Sequence, residues 1–243
     1  MTRLVIVKRI GWRWYLWLAG VGLLALLALM PLRLALGLTD VEKMGFTARQ
    51  VAGTIWGGRL GDLHLGDRPL GSFDVALDPL PLLTGSASMK FRRLDGLEGP
   101  LDGRLLAGSR RGIVGATGRV AVGEMFAPIP LTALDLTDVT LLFRDDTCVE
   151  ASGSVVPVIT IPVAGINLAS GLRGTLTCDG RRARVTMVGG SGAERVEFYM
   201  TADGGYRGWM SVRGAAPDAQ VALQLFGFRP TANGLTLSVD GQL

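Results

Sequence analysis

Residues 174–188 read GTLTCDGRRARVTMV, and this segment identifies the fold class of the chain. Apolar and polar residues alternate in 174–178 and again in 184–188, and Asp179-Gly180 lies between the two runs. A period of two is typical of a strand with one buried face. An Asp-Gly pair supplies the positive φ angles of a tight hairpin turn. The segment therefore predicts an antiparallel β-hairpin.

Similar short segments recur along the chain beyond residue 40, separated by Gly, Asp or Pro. Strands are predicted at 60–65, 73–77, 119–122, 139–143, 154–161, 174–178, 184–188, 196–200, 208–212 and 235–239. Asp203-Gly204-Gly205 and Asn233-Gly234 mark further turns. The fold predicted is a mainly β, antiparallel sheet domain, either a sandwich or a curved half-barrel, with one or two short helices. The helix candidates are 40–44, 80–83 and 218–226, the last capped by Asp218.

A basic N-terminus precedes a long apolar run. The nineteen uncharged residues from Trp14 to Leu32 would form a helix about 29 Å long, which matches the hydrocarbon core of a bilayer. We predict a transmembrane helix over 14–36, with residues 37–243 across the membrane. Four cations favour a cytoplasmic tail at 1–13: Arg3, Lys8, Arg9 and Arg13. The alternative is a signal peptide cleaved near Ala35-Leu36-Gly37.

The charge distribution excludes a nucleic-acid-binding protein. The whole chain has a formal net charge of +4, which residues 1–13 alone supply, and Arg33 adds one more, so residues 34–243 have a net charge of −1. Binding to a phosphate backbone requires an excess of cations that replaces its counterions. The exported part of the chain has no such excess.

The two cysteines fit an exported domain. Cys148 and Cys178 are thirty positions apart, in a compartment where disulfides persist. A bridge between them is favoured, and two buried free thiols are the alternative. With one histidine in the chain and no Cys-x-x-Cys motif, a metal site is not predicted.

No catalytic constellation emerges from the sequence, and no cofactor is predicted. His64 alternates with apolar neighbours and reads as the exposed member of a strand. The segment Gly189-Gly190-Ser191-Gly192-Ala193 lacks the spacing of a nucleophile elbow and the lysine of a P-loop, so it reads as a turn. Asp145, Asp146 and Glu150 lie beside a hairpin end, where carboxylates are usually solvated.

Three arginine pairs occur among turn residues: Arg92-Arg93, Arg110-Arg111 and Arg181-Arg182. Charge at such positions is ordinarily solvated. Contact with an anionic lipid or with a partner is the alternative reading.

Five segments together resemble the family of type II secretion system protein N. The first, Val51-Ala52-Gly53-Thr54-Ile55-Trp56-Gly57-Gly58, is similar to a Gly-Thr-[Leu/Val]-Trp-x-Gly segment of that family. The second is similar to its Pro-x-x-Leu-Leu-x-Gly turn, with Pro79, Leu82, Leu83 and Gly85 at the matching positions. The others are Gly174-Thr175-Leu176-Thr177-Cys178, Leu225-Phe226-Gly227-Phe228 and the closing strand at 234–243.

The resemblance implies a non-enzymatic component of the machinery that exports folded proteins from Gram-negative bacteria. It implies a single-pass inner-membrane protein with a cytoplasmic N-terminus and a periplasmic domain at 37–243. It also implies partners among the inner-membrane platform proteins and the component that links them to the secretin. The family brings no catalytic residues to carry over, so the mechanism would be binding, for example by addition of a strand at a sheet edge.

Two readings stay open beside that one. Gly53 and Gly58 permit close backbone approach, while Trp56 would either fill the core at the start of a strand or dock a partner. The same opening pattern also looks like that of AsmA-type proteins, which handle lipid on an apolar concave sheet face. A lipid groove would leave a contiguous apolar patch open to solvent.

Overall fold

The computed structural model describes residues 12–37, 46–65, 68–96, 98–122, 131–159 and 171–242. The predicted helix at 40–44 and the cations Arg3, Lys8 and Arg9 lie outside these ranges.

The described strands form one antiparallel sheet of fourteen strands. They are β1 (Phe46–Thr54), β2 (Gly57–Leu65), β3 (Arg68–Leu77), β4 (Ala87–Arg93), β5 (Leu101–Ala107), β6 (Arg111–Ala121), β7 (Leu131–Arg144), β8 (Thr147–Ile159), β9 (Leu172–Asp179), β10 (Arg182–Gly189), β11 (Glu194–Met200), β12 (Gly205–Val212), β13 (Arg229–Thr231) and β14 (Gly234–Gln242). The strands lie beside one another in chain order except at the end, where β14 lies between β12 and β13. Strands β1 and β13 are therefore the two edges.

This architecture confirms the mainly β, antiparallel prediction. The described strands belong to a single sheet, so the sandwich of two sheets is wrong, and the curved half-barrel stays a prediction. All ten predicted strands occur, most of them longer than expected, and the last residues of the segment at 154–161 lie outside the described ranges. The sequence reading missed β1, β4, β5 and the three-residue β13.

One face of the sheet is apolar from β2 to β14. The register places directly facing residues in a row across the sheet, in which each side chain points to the same face as its cross-strand neighbour. Through β5 the row runs Gly58, Val75, Phe91 and Gly103, and from β6 onward it runs Gly118, Leu136, Val155, Gly174, Met187, Val196, Met210 and Leu237. The opposite face carries most of the charged side chains.

Short helices cover this apolar face at its two ends. At the N-terminal end, Leu32 is buried in a cluster with Phe73, Val75 and Leu101. At the C-terminal end, Leu223 is fully buried among side chains of β9 to β14. Two further clusters, around Val139 and around Phe143, lie between these ends. The core is thus a layer along one face of the sheet.

The N-terminal apolar run forms two helices rather than one. Helix α1 is Trp12–Ala28 and helix α2 is Leu32–Gly37. Pro31 separates them, because a proline has no N–H to continue a helix and disfavours helical dihedrals in the residue before it. The single helix expected over 14–36 is therefore interrupted. Among the described ranges, no helix reaches the length and apolar character that a bilayer crossing requires.

Two short helices follow later in the chain. Helix α3, Pro79–Leu82, is the single turn expected between β3 and β4. Helix α4, Pro217–Leu225, confirms the helix expected at 218–226. The predicted cap is wrong, since Ala216 is the N-cap residue and Asp218 lies in the first turn, where its carboxylate faces the positive end of the helix.

Candidate functional site

The tip of the β1–β2 hairpin is joined to the end of helix α1. Thr54 pairs with Gly57, so Ile55 and Trp56 form the two-residue turn. The indole Nε1–H of Trp56 donates to the carbonyl oxygen of Leu27 at 3.0 Å, and the amide of Ile55 donates to the carbonyl oxygen of Met30 at 3.1 Å. The last carbonyls of a helix lack partners within it. The hairpin tip supplies them here.

The other end of this junction depends on two glycines. Gly53 has φ of +87°, and a Cβ there would lie 2.5 Å from the carbonyl oxygen of Gly57. A Cβ at Gly58 would lie 2.6 Å from Cδ2 of Leu32 and under 3.0 Å from two backbone oxygens. Leu32, the last residue of the uncharged run and expected inside the membrane helix over 14–36, is instead the first residue of α2 and is 6% exposed. Glycine at 58 makes room for it.

Trp56 lies in a turn and not at a strand start, so the core tryptophan expected there is wrong. Its side chain is half-buried and bonded to the end of helix α1, and partner docking by Trp56 stays a prediction. Thr54 forms an isolated antiparallel bridge with Pro31. We call Leu27, Pro31, Leu32, the hairpin tip and Gly58 the helix–sheet junction. At the other end of α1, the side chain of Trp14 is exposed.

The second family segment adjoins this junction. The amide of Leu77, at the end of β3, donates to the carbonyl oxygen of Ile55 at 2.9 Å. Helix α3 follows at once, and the amide and hydroxyl of Thr84 both donate to the carbonyl oxygen of Pro81, at 3.0 and 2.8 Å. Gly85 has φ of +73°, a left-handed conformation that favours glycine. The two segments that were far apart in sequence thus meet at one end of the sheet.

The side chains of this second segment are largely exposed. Pro79 begins α3, while Leu82 and Leu83 point away from the sheet with 41% and 85% exposure. Leu80 is 75% exposed. Three leucines exposed on one turn form an apolar surface that the sheet does not use.

The polar face of the sheet carries a groove of about 910 Å³ beside the junction. Its charged walls come from β2 to β5, and its floor contains residues with little or no side chain. The walls are Arg59, Asp74, Lys90, Arg92, Asp102 and Arg104, and the floor includes Ala52, Gly57, Ala76 and Gly115. We call this the polar-face groove. Its lining has two more cations than anions.

Ion pairs neutralise only some of the charged side chains that line the polar-face groove. Arg59 binds Asp74 at 3.0 Å, and Lys90 binds Asp78 at 3.2 Å. Lys90 and Arg104 face each other directly in the register of β4 and β5. Like charges directly opposite destabilise a strand pair. Because Asp78 neutralises Lys90, Arg104 is the member of this pair whose charge no described side chain balances through an ion pair.

The disulfide is confirmed. Cys148 and Cys178 are bridged, with their Cα atoms 5.5 Å apart, so the free-thiol alternative is wrong. The bridge joins β8 to β9, whose direct register consists of two pairs, Ser154 with Thr175 and Val155 with Gly174. This is the shortest register between neighbouring strands in the described ranges. The bond thus secures the seam between the two halves of the sheet.

The structure does not bring the candidate catalytic residues together in one site. Asp145 and Asp146 form the β7–β8 turn with φ of 46° and 60°, and both are exposed, as is Glu150. His64 lies on β2, as expected, but is half-buried, with Nδ1 2.9 Å from the carbonyl oxygen of Asp62. The segment 189–193 is the turn between β10 and β11. Within the described part of the chain, no group of acidic, histidine and cysteine side chains has the arrangement of a metal site.

The arginine pairs behave differently from one another. Arg93 was expected in solvent, and this is wrong, because it faces Phe73 in the register and so lies on the apolar face. It is 5% exposed, its guanidinium lies 5.4 Å from the centre of the Phe73 ring, and it donates to the carbonyl oxygen of Arg119 at 3.1 Å. Burial lowers the pKa of Arg93, and the nearby charge of Glu98 opposes that shift.

The remaining pairs lie at hairpin ends on the surface. Arg111 forms an ion pair with Asp146, and Arg182 lies over the ring of Tyr199, 4.7 Å from its centre. Arg110 and Arg181 are exposed. These four arginines are therefore at the surface, as predicted, and Arg111 and Arg182 each also contact a neighbouring side chain.

Another surface pair has a titration consequence. Arg119 binds Asp135 through two hydrogen bonds of 2.6 and 2.8 Å. The hydrogen bond and the charge of the guanidinium hold the pKa of Asp135 below its usual value. This pair joins β6 to β7 on the polar face.

The sequence reading missed two features of this end of the molecule. Pro31 was available as a signal that the apolar helix is interrupted. The polar-face groove could not be found without knowing that Lys90 and Arg104, on strands that had not been predicted, face each other. Of these two features, the groove depends on the register of the strands.

Comparison with known proteins gives one match. The family model for type II secretion system protein N matches residues 44–238. No curated protein and no solved structure gives a significant match.

Proposed function

The chain belongs to the family of type II secretion system protein N, and we propose that it serves the secretion machinery as a non-enzymatic binding component of the inner membrane. Membership in the family implies association with other components of that machinery. The observation that carries the proposal further is the architecture itself. A single open sheet with an accessible edge is suited to binding another chain by its backbone.

The two edges of the sheet differ in how accessible they are. Strand β1 has nine residues, contains no proline and carries one charge, at Arg49. In the described ranges, its outer side is paired only at Thr54, by the bridge to Pro31. Strand β13 has three residues and contains Pro230. Short strands and prolines are ways in which proteins blunt an edge against pairing. The edge of β1 is the one suited to receive a strand.

Strand addition at β1 would need no special side chains from this protein. Unpaired N–H and C=O groups along the edge supply the hydrogen bonds, and side chains on alternate positions supply specificity. We propose that the added strand comes from an inner-membrane platform protein or from the component that links the platform to the secretin. The helix–sheet junction would fix the height of that edge above the membrane.

The proposed placement is a single pass through the inner membrane of a Gram-negative bacterium. The N-terminal tail would be cytoplasmic and the sheet periplasmic. The supporting features are the cations of the tail, the exposed apolar side chains along helix α1 and the disulfide of the sheet. Trp14 and Trp17, both exposed, would lie at the headgroup level.

The apolar face of the sheet argues against the lipid-groove reading. Its large side chains are buried in four clusters, with Leu32 and Leu223 covering the two ends. Large apolar side chains exposed on the described strands are Leu105, Val149 and Val188, which belong to strands that are not neighbours. A concave lipid site needs a contiguous open patch instead.

The test is crosslinking in native membranes of the full chain. A photoreactive residue is placed at Thr47 or at Arg49, both exposed on the edge strand, and at Trp56 in the junction. The matched control is Thr175, which is equally exposed but lies on β9 between two paired strands. Crosslinked products are then identified by mass spectrometry.

Recovery of secretion-platform components from Thr47 and Arg49, with none from Thr175, is the expected result. Equal recovery from all positions would mean that the edge is not the docking site. Recovery of phospholipid without any secretion component would favour lipid handling and overturn the proposal.

A further inference from the structure

Several turns lie at the same end of the sheet as the helix–sheet junction. Strands β1, β3 and β5 all end there, so the hairpin tip at Ile55, helix α3 and the β5–β6 turn at Arg110 lie at the same end. The hydrogen bond from Leu77 to Ile55 connects the first two directly. Helix α1 meets the sheet at this end as well. Whatever α1 contacts therefore lies near these turns.

Helix α3 presents an apolar surface at this end. Leu80, Leu82 and Leu83 are 75%, 41% and 85% exposed, and none of them belongs to a core cluster. Pro79 and Pro81 restrict the backbone of the turn, so the leucines are held outward at little further entropic cost. The two prolines thus fix the conformation of the turn, and the three leucines form its exposed surface.

Cations accompany these leucines. The polar-face groove opens at the same end, since Gly53 and Gly57 of the hairpin line it together with Lys90 and Arg104. Of the described charged side chains, none forms an ion pair within 4 Å with Arg92 or Arg104. Arg92 faces Asp74 and Asp102 in the register, whereas Arg104 faces Lys90. A guanidinium offers two parallel donors to the oxygens of a phosphate. The groove is therefore suited to a singly charged phosphodiester.

We propose that this end of the sheet docks on the surface of an anionic bilayer, with the α3 leucines in the interface and Arg92 and Arg104 at the lipid phosphates. The inference rests on the proposed placement of α1 in the membrane. Apolar side chains flanked by cations are the composition by which proteins bind an interface, about 5–10 Å deep. A bilayer is favoured over a protein partner because the leucines and the groove adjoin the end of α1, whose apolar side chains are themselves exposed.

This second contact would fix the orientation of the sheet. A single helix leaves the domain that follows it free to tilt. Contact at α3, which is joined to the junction through Leu77, would hold the strands at a constant angle to the membrane and the edge of β1 at a constant height. Orientation is what a strand-addition site requires if its partner is also anchored in the membrane.

The test measures the depth of α3 in vesicles that hold the full chain. Leu83→Cys carries an environment-sensitive fluorophore, which reacts at the new thiol because Cys148 and Cys178 are bridged. The vesicles contain phosphatidylglycerol and phosphatidylcholine with a nitroxide quencher at the headgroup. The matched control is Ala232→Cys, which lies in the exposed turn before β14 at the opposite end of the sheet. Vesicle flotation reports separately whether the chain enters the membrane.

The expected result is flotation of both labelled chains, with quenching at position 83 about threefold stronger than at position 232. Flotation with equal quenching at the two positions would overturn this inference and leave the membrane placement intact. Failure to float would contradict both. Absence of quenching in vesicles, together with protection of position 83 in native membranes, would assign the leucines to a protein partner instead.

A charge variant tests the phosphate contacts. Arg92→Gln with Arg104→Gln should lower the quenching at position 83 about twofold in anionic vesicles and leave it unchanged in vesicles of phosphatidylcholine alone. The control is Arg173→Gln with Arg229→Gln, which removes the same charge from exposed positions at the far end. Equal losses in the two variants would contradict the assignment of the groove to lipid phosphate.

Discussion

Gly58→Ala should disconnect helix α2 from the sheet, whereas Gly57→Ala should not. The two glycines are adjacent in β2, and neither has a positive φ, so alanine suits the backbone of both. A Cβ at Gly57 has no neighbour within 4 Å. A Cβ at Gly58 would lie 2.6 Å from Cδ2 of Leu32 and 2.8 and 2.9 Å from the carbonyl oxygens of Ala52 and Thr54.

The magnitude follows from comparing the two variants. Alanine in a strand stabilises the fold by about 0.5–1 kcal/mol relative to glycine, because the unfolded chain is less free. Overpacking costs about 1–3 kcal/mol. Two of the three atoms at Gly58 are backbone oxygens of the paired strand, which cannot move without breaking the hairpin. The two variants should therefore differ by about 1–3 kcal/mol in free energy of unfolding, with Gly58→Ala the less stable.

The assay is urea unfolding of the full chain in mild detergent, in which the midpoint should shift at constant slope. Hydrogen exchange adds a local measurement. The amide of Ile55 donates to Met30 across the junction, so its exchange should accelerate in Gly58→Ala and stay unchanged in Gly57→Ala. In the Leu32→Ala background, where the clashing side chain is absent, Gly58→Ala should cost less than it does in the parent chain.

Equal stability of the two glycine variants, within about 0.3 kcal/mol, would refute the packing of Leu32 against Gly58. So would accelerated exchange at Ile55 in both. An equal cost of Gly58→Ala in the parent chain and in the Leu32→Ala background would assign the whole effect to the two backbone oxygens.

Three further outcomes are expected. Trp56→Phe replaces the indole with a smaller aromatic ring that lacks the N–H donor to the end of α1, and loss of that hydrogen bond should cost about 0.5–1.5 kcal/mol in urea unfolding. Cys148→Ser with Cys178→Ser should lower the free energy of unfolding by about 3–4 kcal/mol in the chain-entropy model for a loop of this length, and should open the β8–β9 seam to hydrogen exchange. Because Arg119 depresses the pKa of Asp135 in the folded state, that pair's stabilisation is present above the unfolded pKa and is lost as pH falls through the folded one. With Asp135→Asn, the melting temperature should therefore fall less steeply than in the parent chain as the pH drops below the ordinary pKa of an aspartate.

Hairpin chemistry made much of the sheet predictable. Asp179-Gly180 and Asp203-Gly204-Gly205 lie in the turns of β9–β10 and β11–β12, because few residues other than glycine take positive φ easily. Strands β1 and β5 escaped prediction for a related reason. Gly53 and Gly103 interrupt their apolar alternation, although tertiary pairing places both in strands. Glycine residues thus allowed the turns to be predicted correctly. Within β1 and β5, however, glycine interrupted the apolar pattern, so these two strands were not predicted.

The candidate site was predictable in its residues and not in its geometry. The segments around Trp56 and Leu83 could be recognised by their spacing. Their meeting at one end of the sheet follows from the chain-order topology, which periodicity alone does not supply. Arg93 illustrates the same limit. Its neighbours in sequence read as a turn, but the register with Phe73 places it on the apolar face.

The two edge strands of the sheet, β1 and β13, differ in length. An open sheet has two edge strands, here β1 and β13, and each is a hazard for aggregation unless it is blunted or used. The last edge is blunted by a three-residue strand with Pro230, while the first keeps nine residues with one charge. Selection against aggregation would act on both edges alike. The long edge of β1, beside the junction with α1, is therefore the edge at which the proposed strand addition would occur.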